Sequence, residues 1–337
     1  MFNGKKILIT GGTGSFGHQI LKRLIDFQPD EIRVFSRDEK KQDDLRNQYT
    51  DVPFIRFVIG DVRDRRSLVE SMSGVDYVFH AAALKQVPSC EYNVREAVLT
   101  NVHGAQNLVE AAIEAGVQKV IAISTDKAVK PVNVMGMTKA LQEKIVTIAN
   151  QGQHQTIFSC VRYGNVIGSR GSVIPHFVKL IRSQQNLTIT DPEMTRFVIC
   201  LDEAIDLVFK AVELSIGGEI FVKKLPGVKI MDLARTMLDA LDHRGELGID
   251  EVGIRPGEKI HEVLVSEEES LRTVEDDDYY IVLPKVRLPV SYQPYRQFNP
   301  MGAGEYSSDQ TRFLTKPEIQ QLLQKEGWLN ESSDHWC

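Results

Sequence analysis

Three consecutive residues, Thr125, Asp126 and Lys127, carry a hydroxyl, a carboxyl and an ammonium group. They cannot share one face of a strand, but a loop bent around a small molecule brings them to its flanks. An acid and a base on opposite sides of one carbon pair are what β-elimination of water requires. The plainer alternative is a helix N-cap, Thr125 or Asp126, beside a solvated lysine. Lys139 follows within Met135-Gly136-Met137-Thr138-Lys139. Further along, Arg255-Pro256-Gly257-Glu258-Lys259 is expected to end a strand and open a helix. Its guanidinium suits a diphosphate, which it can meet with two parallel N–H bonds, whereas Glu258 could equally be a helix-start carboxylate. Thr195 and Arg196 are substrate-side candidates, with a surface salt bridge as the alternative for Arg196. Gly168–Pro175, which includes Ser172 and Val173, is a Gly/Ser-rich loop before a helix, able to offer N–H groups to phosphate or simply to cap that helix.

These groups need a scaffold, and its start is legible in KKILITGGTGSFG, residues 5–17. Ile7, Leu8 and Ile9 form an apolar run that stops at glycines. Phe16, Ile20, Leu24 and Phe27 then recur at helical spacing. Strand, tight turn and helix in this order suit a dinucleotide: the glycines allow the turn and the close approach of backbone to pyrophosphate, and the helix N-terminus faces the phosphates. Gly12, Gly14 and Gly17 fit G-x-G-x-x-G, and Gly11, Gly14 and Gly17 fit the variant with one more spacer. Thr13, Ser15 and Phe16 are the intervening positions on the cofactor side.

Strands are expected over Glu31–Ser36, Pro53–Ile59, Val75–Ala83, Lys119–Ser124, Gln155–Arg162 and Gly217–Lys223. A long helix is expected within Asn93–Gly116, capped by Gly116, and another begins near Asn133. The alternation implies a parallel sheet with right-handed crossovers and ligands outside the carboxyl ends of its strands. The second strand ends in Ser36-Arg37. Arginine suits the 2′-phosphate of NADP and an acid would suit NAD, so NADP is favoured. Asp61 and Val62 are placed at the adenine edge. Ala81, Ala82 and Ala83 let a cofactor lie against the backbone, or are plain tight packing.

The chain has 337 residues, a net charge of −6, 42% hydrophobic and 26% charged residues. These are ordinary values for a globular protein with a full core and favour neither nucleic acid nor an anionic membrane as partner. No apolar run approaches a membrane span. MFNGKKILIT enters a strand at once, so no leader is expected. Cys90, Cys160, Cys200 and Cys337 are widely scattered, with no C-x-x-C and no metal spacing, and suit reduced thiols in the cytoplasm.

GGTGSFG, HAAALK, STDKA and Lys139 together resemble the extended short-chain dehydrogenase/reductase superfamily. Within it, HAAALKQVPSCE, RYGNVIGSRGSVIP, ITDPEMTRF and IRPGEKIHE match the sugar-nucleotide 4,6-dehydratases, over about residues 3 to 290. Most members place a tyrosine base four residues before the helix lysine. Here that residue is Met135, which cannot take a proton, and this resembles the bacterial UDP-N-acetylglucosamine 4,6-dehydratases that invert C5 and serve N-acetyl-L-fucosamine-type sugars of capsules and O-antigens. The resemblance implies an α/β fold, a Rossmann-type doubly wound parallel sheet with a smaller, discontinuous C-terminal α/β substrate domain. The expected division is a cofactor domain over 1–165, rejoined by part of 195–225, a sugar-nucleotide domain over 166–280, and an extended arm, short helix and disordered tail over 281–337. It implies a tightly bound NADP regenerated each turnover, a UDP-sugar substrate, and a homo-oligomer between dimer and hexamer. Asp126 becomes the acid toward the C6 hydroxyl and Lys127 the base at C5. The acceptor for the C4 proton is either Lys127, with a pKa depressed by burial beside another cation, or a relay through Thr125 and water. Lys139 holds the nicotinamide ribose, Lys85 lies by cofactor and substrate, Asn165 meets the diphosphate, and Arg255 and Glu258 meet the nucleotide. A retaining dehydratase, a UDP-sugar 4-epimerase and a non-catalytic NADP(H) sensor are the competing readings.

Overall fold

Six parallel strands make the frame: β1 (Lys6–Thr10), β2 (Glu31–Ser36), β3 (Ile55–Ile59), β4 (Tyr77–His80), β5 (Lys119–Ile123) and β6 (Ile157–Arg162). They lie in the order β3-β2-β1-β4-β5-β6. Chain order reverses between β1 and β4, the switch point at which a doubly wound sheet opens its ligand crevice. Ile7, Leu8, Ile9 and Thr10 are completely buried, because helices cover both faces of a parallel sheet and its strands read as continuous apolar runs. Ile220–Lys223 adds in parallel beside β6. Tyr279–Val282, Thr273–Glu275 and Asn299–Pro300 then extend the sheet antiparallel. The computed structural model describes residues 1–169, 171–242, 244–286 and 292–329.

A second apolar core gathers Phe177, Ile189, Met194, Leu233, Met237 and Trp328. It lies among the helices Val173–Arg182, Ile230–Leu241 and Lys316–Lys325 and the short sheets that join Asn165–Val166, Thr195–Ile199 and Gly227–Lys229, and Leu187–Ile189 with Ile249–Glu251. The arm after residue 281 packs on the body: the Tyr292 hydroxyl donates to Gly217 O at 2.6 Å and the Tyr295 hydroxyl to Leu214 O at 2.8 Å. The expected disordered tail, with Cys337, falls in 330–337, outside the described residues.

Two expectations are corrected. The segment Asn93–Gly116 is not one α-helix. It runs as α over Val94–Ala97, as π over Val98–His103 and as α again over Gly104–Ala115 before the left-handed Gly116. In the π turn Asn101 is fully buried and its amide accepts from Leu84 N at 2.8 Å and donates to Leu84 O and the Thr138 hydroxyl, both at 2.9 Å. Such bulges accommodate a side chain that must reach a fixed partner. Second, no helix opens at Arg255–Lys259. The strand before it stops at Glu251, the segment is a turn with Gly257 at φ 81°, and Asn133 Nδ2 donates to Gly257 O at 2.7 Å. The positive φ is incompatible with a right-handed helix, and the Asn133 contact ties the turn to the start of the helix Val134–Ile148 instead.

Candidate active site

The phosphate-binding half rests on the turn after β1. Gly11 has φ 68°, and a Cβ there would lie 2.7 Å from Ala82 N, so the turn and the chain leaving β4 touch backbone to backbone. A Cβ on Gly14 would meet only Gly11 O, at 3.3 Å. The helix Ser15–Ile25 begins at Gly14 with no side-chain cap, leaving its first N–H groups to an anion. The Thr13 hydroxyl meets the Ser36 hydroxyl at 2.8 Å, and Arg37, half exposed, lies 3.7 Å from Asp61. Val62 is buried. The loop, Ser36, Arg37 and the Ala81–Ala83 backbone thus fit a dinucleotide.

The reactive half hangs from the carboxyl end of β5. Ser124 N donates to Val161 O at 2.7 Å and Asp126 N to Tyr163 O at 3.2 Å, which ties the segment to the end of β6. Asp126–Ala128 is a single 3₁₀ turn with Thr125 at its N-cap. The hydroxyl of Thr125 donates to Asp126 Oδ1 at 2.8 Å, and Lys127 Nζ donates to the same oxygen at 3.0 Å. Asp126 is fully buried and its Oδ2 has no hydrogen-bond partner. Thr125 is a cap, as the plainer reading has it, but Lys127 is not a solvated lysine: its amine is largely buried and in direct contact with the acid.

Lys127 does not have the lowered proton affinity expected for it. Burial pushes its pKa down, but the carboxylates of Asp126 and Glu262 outweigh burial and the repulsion of Arg196, and hold it above the ordinary lysine value. Glu262, whose Oε1 lies 3.1 Å from Lys127 Nζ, was not singled out by sequence, although IRPGEKIHE contains it. Arg196 is no surface ion pair: its side chain is largely buried, and it donates to Thr195 O at 2.7 Å and Ile260 O at 3.0 Å.

The helix Val134–Ile148 closes the site from one side. Its Lys139 Nζ donates to Ile123 O at 2.5 Å and to Gln142 Oε1 at 2.9 Å. Burial lowers Lys139 to a pKa of about 8. Met135 packs with Cys90 and Ala97 in a small apolar cluster, so the thioether fills space where a hydroxyl would need a partner. Gly136 lets the helix approach the reactive turn, since a Cβ there would stand 2.2 Å from Lys127 O.

The remaining candidates lie in the second half of the chain. Asn165 Oδ1 and Ser172 Oγ are buried without a hydrogen-bond partner, and Ser172 with Val173 starts the helix Val173–Arg182. Arg170 in the same loop lies outside the described residues. Thr195 Oγ1 meets the Ser308 hydroxyl at 2.7 Å and His261 Nδ1 at 2.9 Å. Glu258 accepts from the Thr190 hydroxyl at 3.1 Å, and the exposed Arg255 lies 3.9 Å from it. Lys85 is exposed on the loop after β4. Among the described residues no group of His, Cys, Asp and Glu is arranged to hold a metal ion, and no helix is long and apolar enough to cross a membrane.

The profile of the family described as "Polysaccharide biosynthesis protein" matches residues 7–284. A Campylobacter jejuni protein named UDP-N-acetylglucosamine 4,6-dehydratase (inverting) is 48% identical over 292 residues, which are 86% of this chain and 85% of that one. A Rickettsia canadensis protein named UDP-glucose 4-epimerase is 45% identical over 98% of both chains. Among solved structures, Pen from Bacillus thuringiensis superposes with a TM-score of 0.91 at 40% identity, covering 97% of this chain and 99% of that one. DesIV from Streptomyces venezuelae, a dTDP-glucose 4,6-dehydratase solved with NAD bound, gives 0.70 at 20% identity over 96% of this chain and all of that one, a likeness of fold.

Proposed function

This chain belongs to the polysaccharide biosynthesis protein family, of which sequence-level kin are sugar-nucleotide 4,6-dehydratases, and from that premise we propose that it dehydrates UDP-N-acetylglucosamine across C5 and C6 with inversion at C5. The product is then UDP-2-acetamido-2,6-dideoxy-L-arabino-hexos-4-ulose. The observation that carries the reading is the contact of Lys127 Nζ with Asp126 Oδ1 at 3.0 Å, at the strand end where the fold presents a ligand.

When bound, the nicotinamide supplies the hydride acceptor at C4 and the donor at C6. The chain's own residues move the protons. A 4-ketone acidifies the C5 proton. In the resting pair Lys127 is the ammonium and Asp126 the carboxylate. One proton passed between them over this contact makes Asp126 the acid that protonates the C6 hydroxyl and Lys127 the amine that takes the C5 proton. The net charge of the pair does not change. Met135 takes no part. The C4 proton leaves to solvent by way of Lys127, or of Thr125 and water, before the pair acts, and once hydride has reached C6 a solvent proton reaches C5 from the face opposite Lys127, which inverts C5 and closes the proton balance. Lys139 holds the nicotinamide ribose. Asn165, Ser172 and Val173 face the diphosphate, Thr195 and Arg196 the sugar, and Arg255 and Glu258 the uridine end. The family resemblance also supports a homo-oligomer.

A mass-spectrometric loss of one water from UDP-N-acetylglucosamine, with no added oxidant, tests the reading; unchanged substrate in the presence of bound cofactor contradicts it. The epimerase reading has the full-length Rickettsia relatives in its favour. An epimerase only withdraws and returns hydride at C4, so it has no use for an acid at C6, and it would give an isomer of unchanged mass. An NADP(H) sensor would bind cofactor without the sugar nucleotide.

Arg37 follows Ser36 at the end of the second strand, where an arginine suits a 2′-phosphate, and the nearby Asp38 is taken up in capping the next helix, its carboxylate accepting from Lys41 N at 3.0 Å. NADP is therefore the cofactor we assign. The nucleotide released on denaturing the purified protein should be NADP(H); recovery of NAD(H) alone would overturn the assignment.

Replacing Gly136 tests how the turn is positioned. In Gly136→Ala the new methyl collides with the Lys127 carbonyl, and the turn must shift. A displacement near 1 Å should lower turnover about 100-fold, with cofactor content unchanged. Turnover within about twofold of the parent would show that the approach of helix and turn is not critical.

A further inference from the structure

Glu262 is buried to 2% exposure against the reactive pair. Its Oε1 lies 3.1 Å from Lys127 Nζ and 4.0 Å from Arg196 Nε, and its Oε2 lies 3.7 Å from Lys259 Nζ with no hydrogen-bond partner. Its backbone is held on both sides by one residue of the C-terminal segment: Glu262 N donates to Ser308 Oγ at 2.9 Å and Ser308 N donates to Glu262 O at 2.8 Å. Ser308 is itself completely buried and bonded to Thr195. The chain thus takes a carboxylate out of water, fixes its backbone and leaves one of its oxygens without a hydrogen bond. Buried ion pairs are weak stabilisers, because desolvation offsets their attraction, so stability alone gives little reason for this arrangement.

The charges facing Lys127 explain it better. They are Asp126 on its own turn, Glu262 and Lys259 on the segment before Val263–Val265, and Arg196 on Thr195–Ile199. Without Glu262, two cations and one anion would surround the amine. We propose that Glu262 is a positioning residue for the reaction, fixing the Lys127 amine beside Asp126 and governing when that amine gives up its proton. This rests on the dehydratase reading for its consequence, but not for its measurement.

Two substitutions pull in opposite directions. Glu262→Gln keeps the shape and removes an anion at contact distance, so Lys127 should lose its proton at least about one pH unit lower, even with an effective dielectric near 20. Lys259→Met removes a cation from the same cluster, so Lys127 should hold its proton to higher pH. The falling limb of kcat/KM against pH, where the pair loses its shared proton, moves down in the first variant and up in the second, and kcat falls about tenfold or more in Glu262→Gln while KM for the sugar nucleotide stays within about threefold. A merely structural residue would not move the limb in two directions. Acetylation of Lys127 by acetic anhydride across pH, read by mass spectrometry, follows the same amine without turnover. If the wild type makes no 4-keto product but the acetylation profiles still separate, the dehydratase reading fails and the control of Lys127 stands. If both profiles coincide with the wild type, or move in the same direction, the role of Glu262 is overturned. Should Glu262→Gln not fold, Lys259→Met, whose residue is less buried, carries the test alone: an unmoved or lowered profile overturns it.

Discussion

Lys127→Ala should form no detectable 4-keto product while keeping its full complement of bound cofactor. The loss expected from removing a general base is about 10²- to 10⁴-fold, and the upper end applies here because the same side chain serves as proton donor to Asp126. Lys127 Nζ lies 3.0 Å from Asp126 Oδ1, and the Thr125 hydroxyl that shares this oxygen is too weak a base to take the C5 proton in its place. The phosphate-binding turn of β1 is built from separate residues, so cofactor content should be unaffected. Turnover of the variant at the parent rate would remove Lys127 from the mechanism. Loss of cofactor together with activity would make it a structural residue instead.

The second large effect is on stability. Arg162 lies 1% exposed at the end of β6 and is held by two carboxylates. Glu143 of the Lys139 helix accepts from Arg162 Nε at 3.0 Å and from a terminal nitrogen at 2.7 Å. Glu269 accepts from both terminal nitrogens at 3.0 Å. The Ser124 hydroxyl donates to Glu143 Oε1 at 2.5 Å, so this buried network also fixes the residue just before the reactive turn. Arg162→Met would strand two buried carboxylates. Removing one partner of a buried pair costs about 3–5 kcal/mol, which is a large share of the roughly 5–15 kcal/mol of a whole domain. Urea denaturation should show the midpoint fall accordingly, or the variant should not accumulate in soluble form. An unchanged midpoint would contradict the account.

The same network sets an acid limit. Burial alone would raise the pKa of Glu269, but Arg162 outweighs it and holds the group at about 2. A folded-state value below the ordinary carboxylate value of about 4.3 means that this contribution to stability is complete above that pH and is lost as the pH falls toward about 2.

Much of this was written in local sequence. The strands β1 to β6 are short apolar runs because both faces of the sheet are covered, and the glycines after β1 announce a turn that only a close backbone approach requires. The motifs carrying the family resemblance cover most of the chain. What escaped depends on contacts made across the fold. Glu262 follows no periodicity and becomes a partner of Lys127 only when a distant segment packs on the turn after β5. For the same reason the option of a depressed Lys127 pKa does not hold: the adjacent Asp126 and, from a distant segment, Glu262 together outweigh burial and the repulsion of Arg196. The π turn at Val98–His103 exists to bring Asn101 to Leu84 and Thr138, a demand that no helical pattern reveals. At Arg255–Lys259 a single glycine with positive φ decided between helix and turn.

The measurement that tests the central claim most directly is to incubate the protein with UDP-N-acetylglucosamine in deuterated water and follow the sugar by NMR. The account predicts a 6-deoxy-4-keto sugar that carries deuterium at C5 and has the L-configuration there, formed although Met135 stands where a tyrosine base is usual. A product of D-configuration at C5, or an isomer that keeps its C6 hydroxyl, would contradict it.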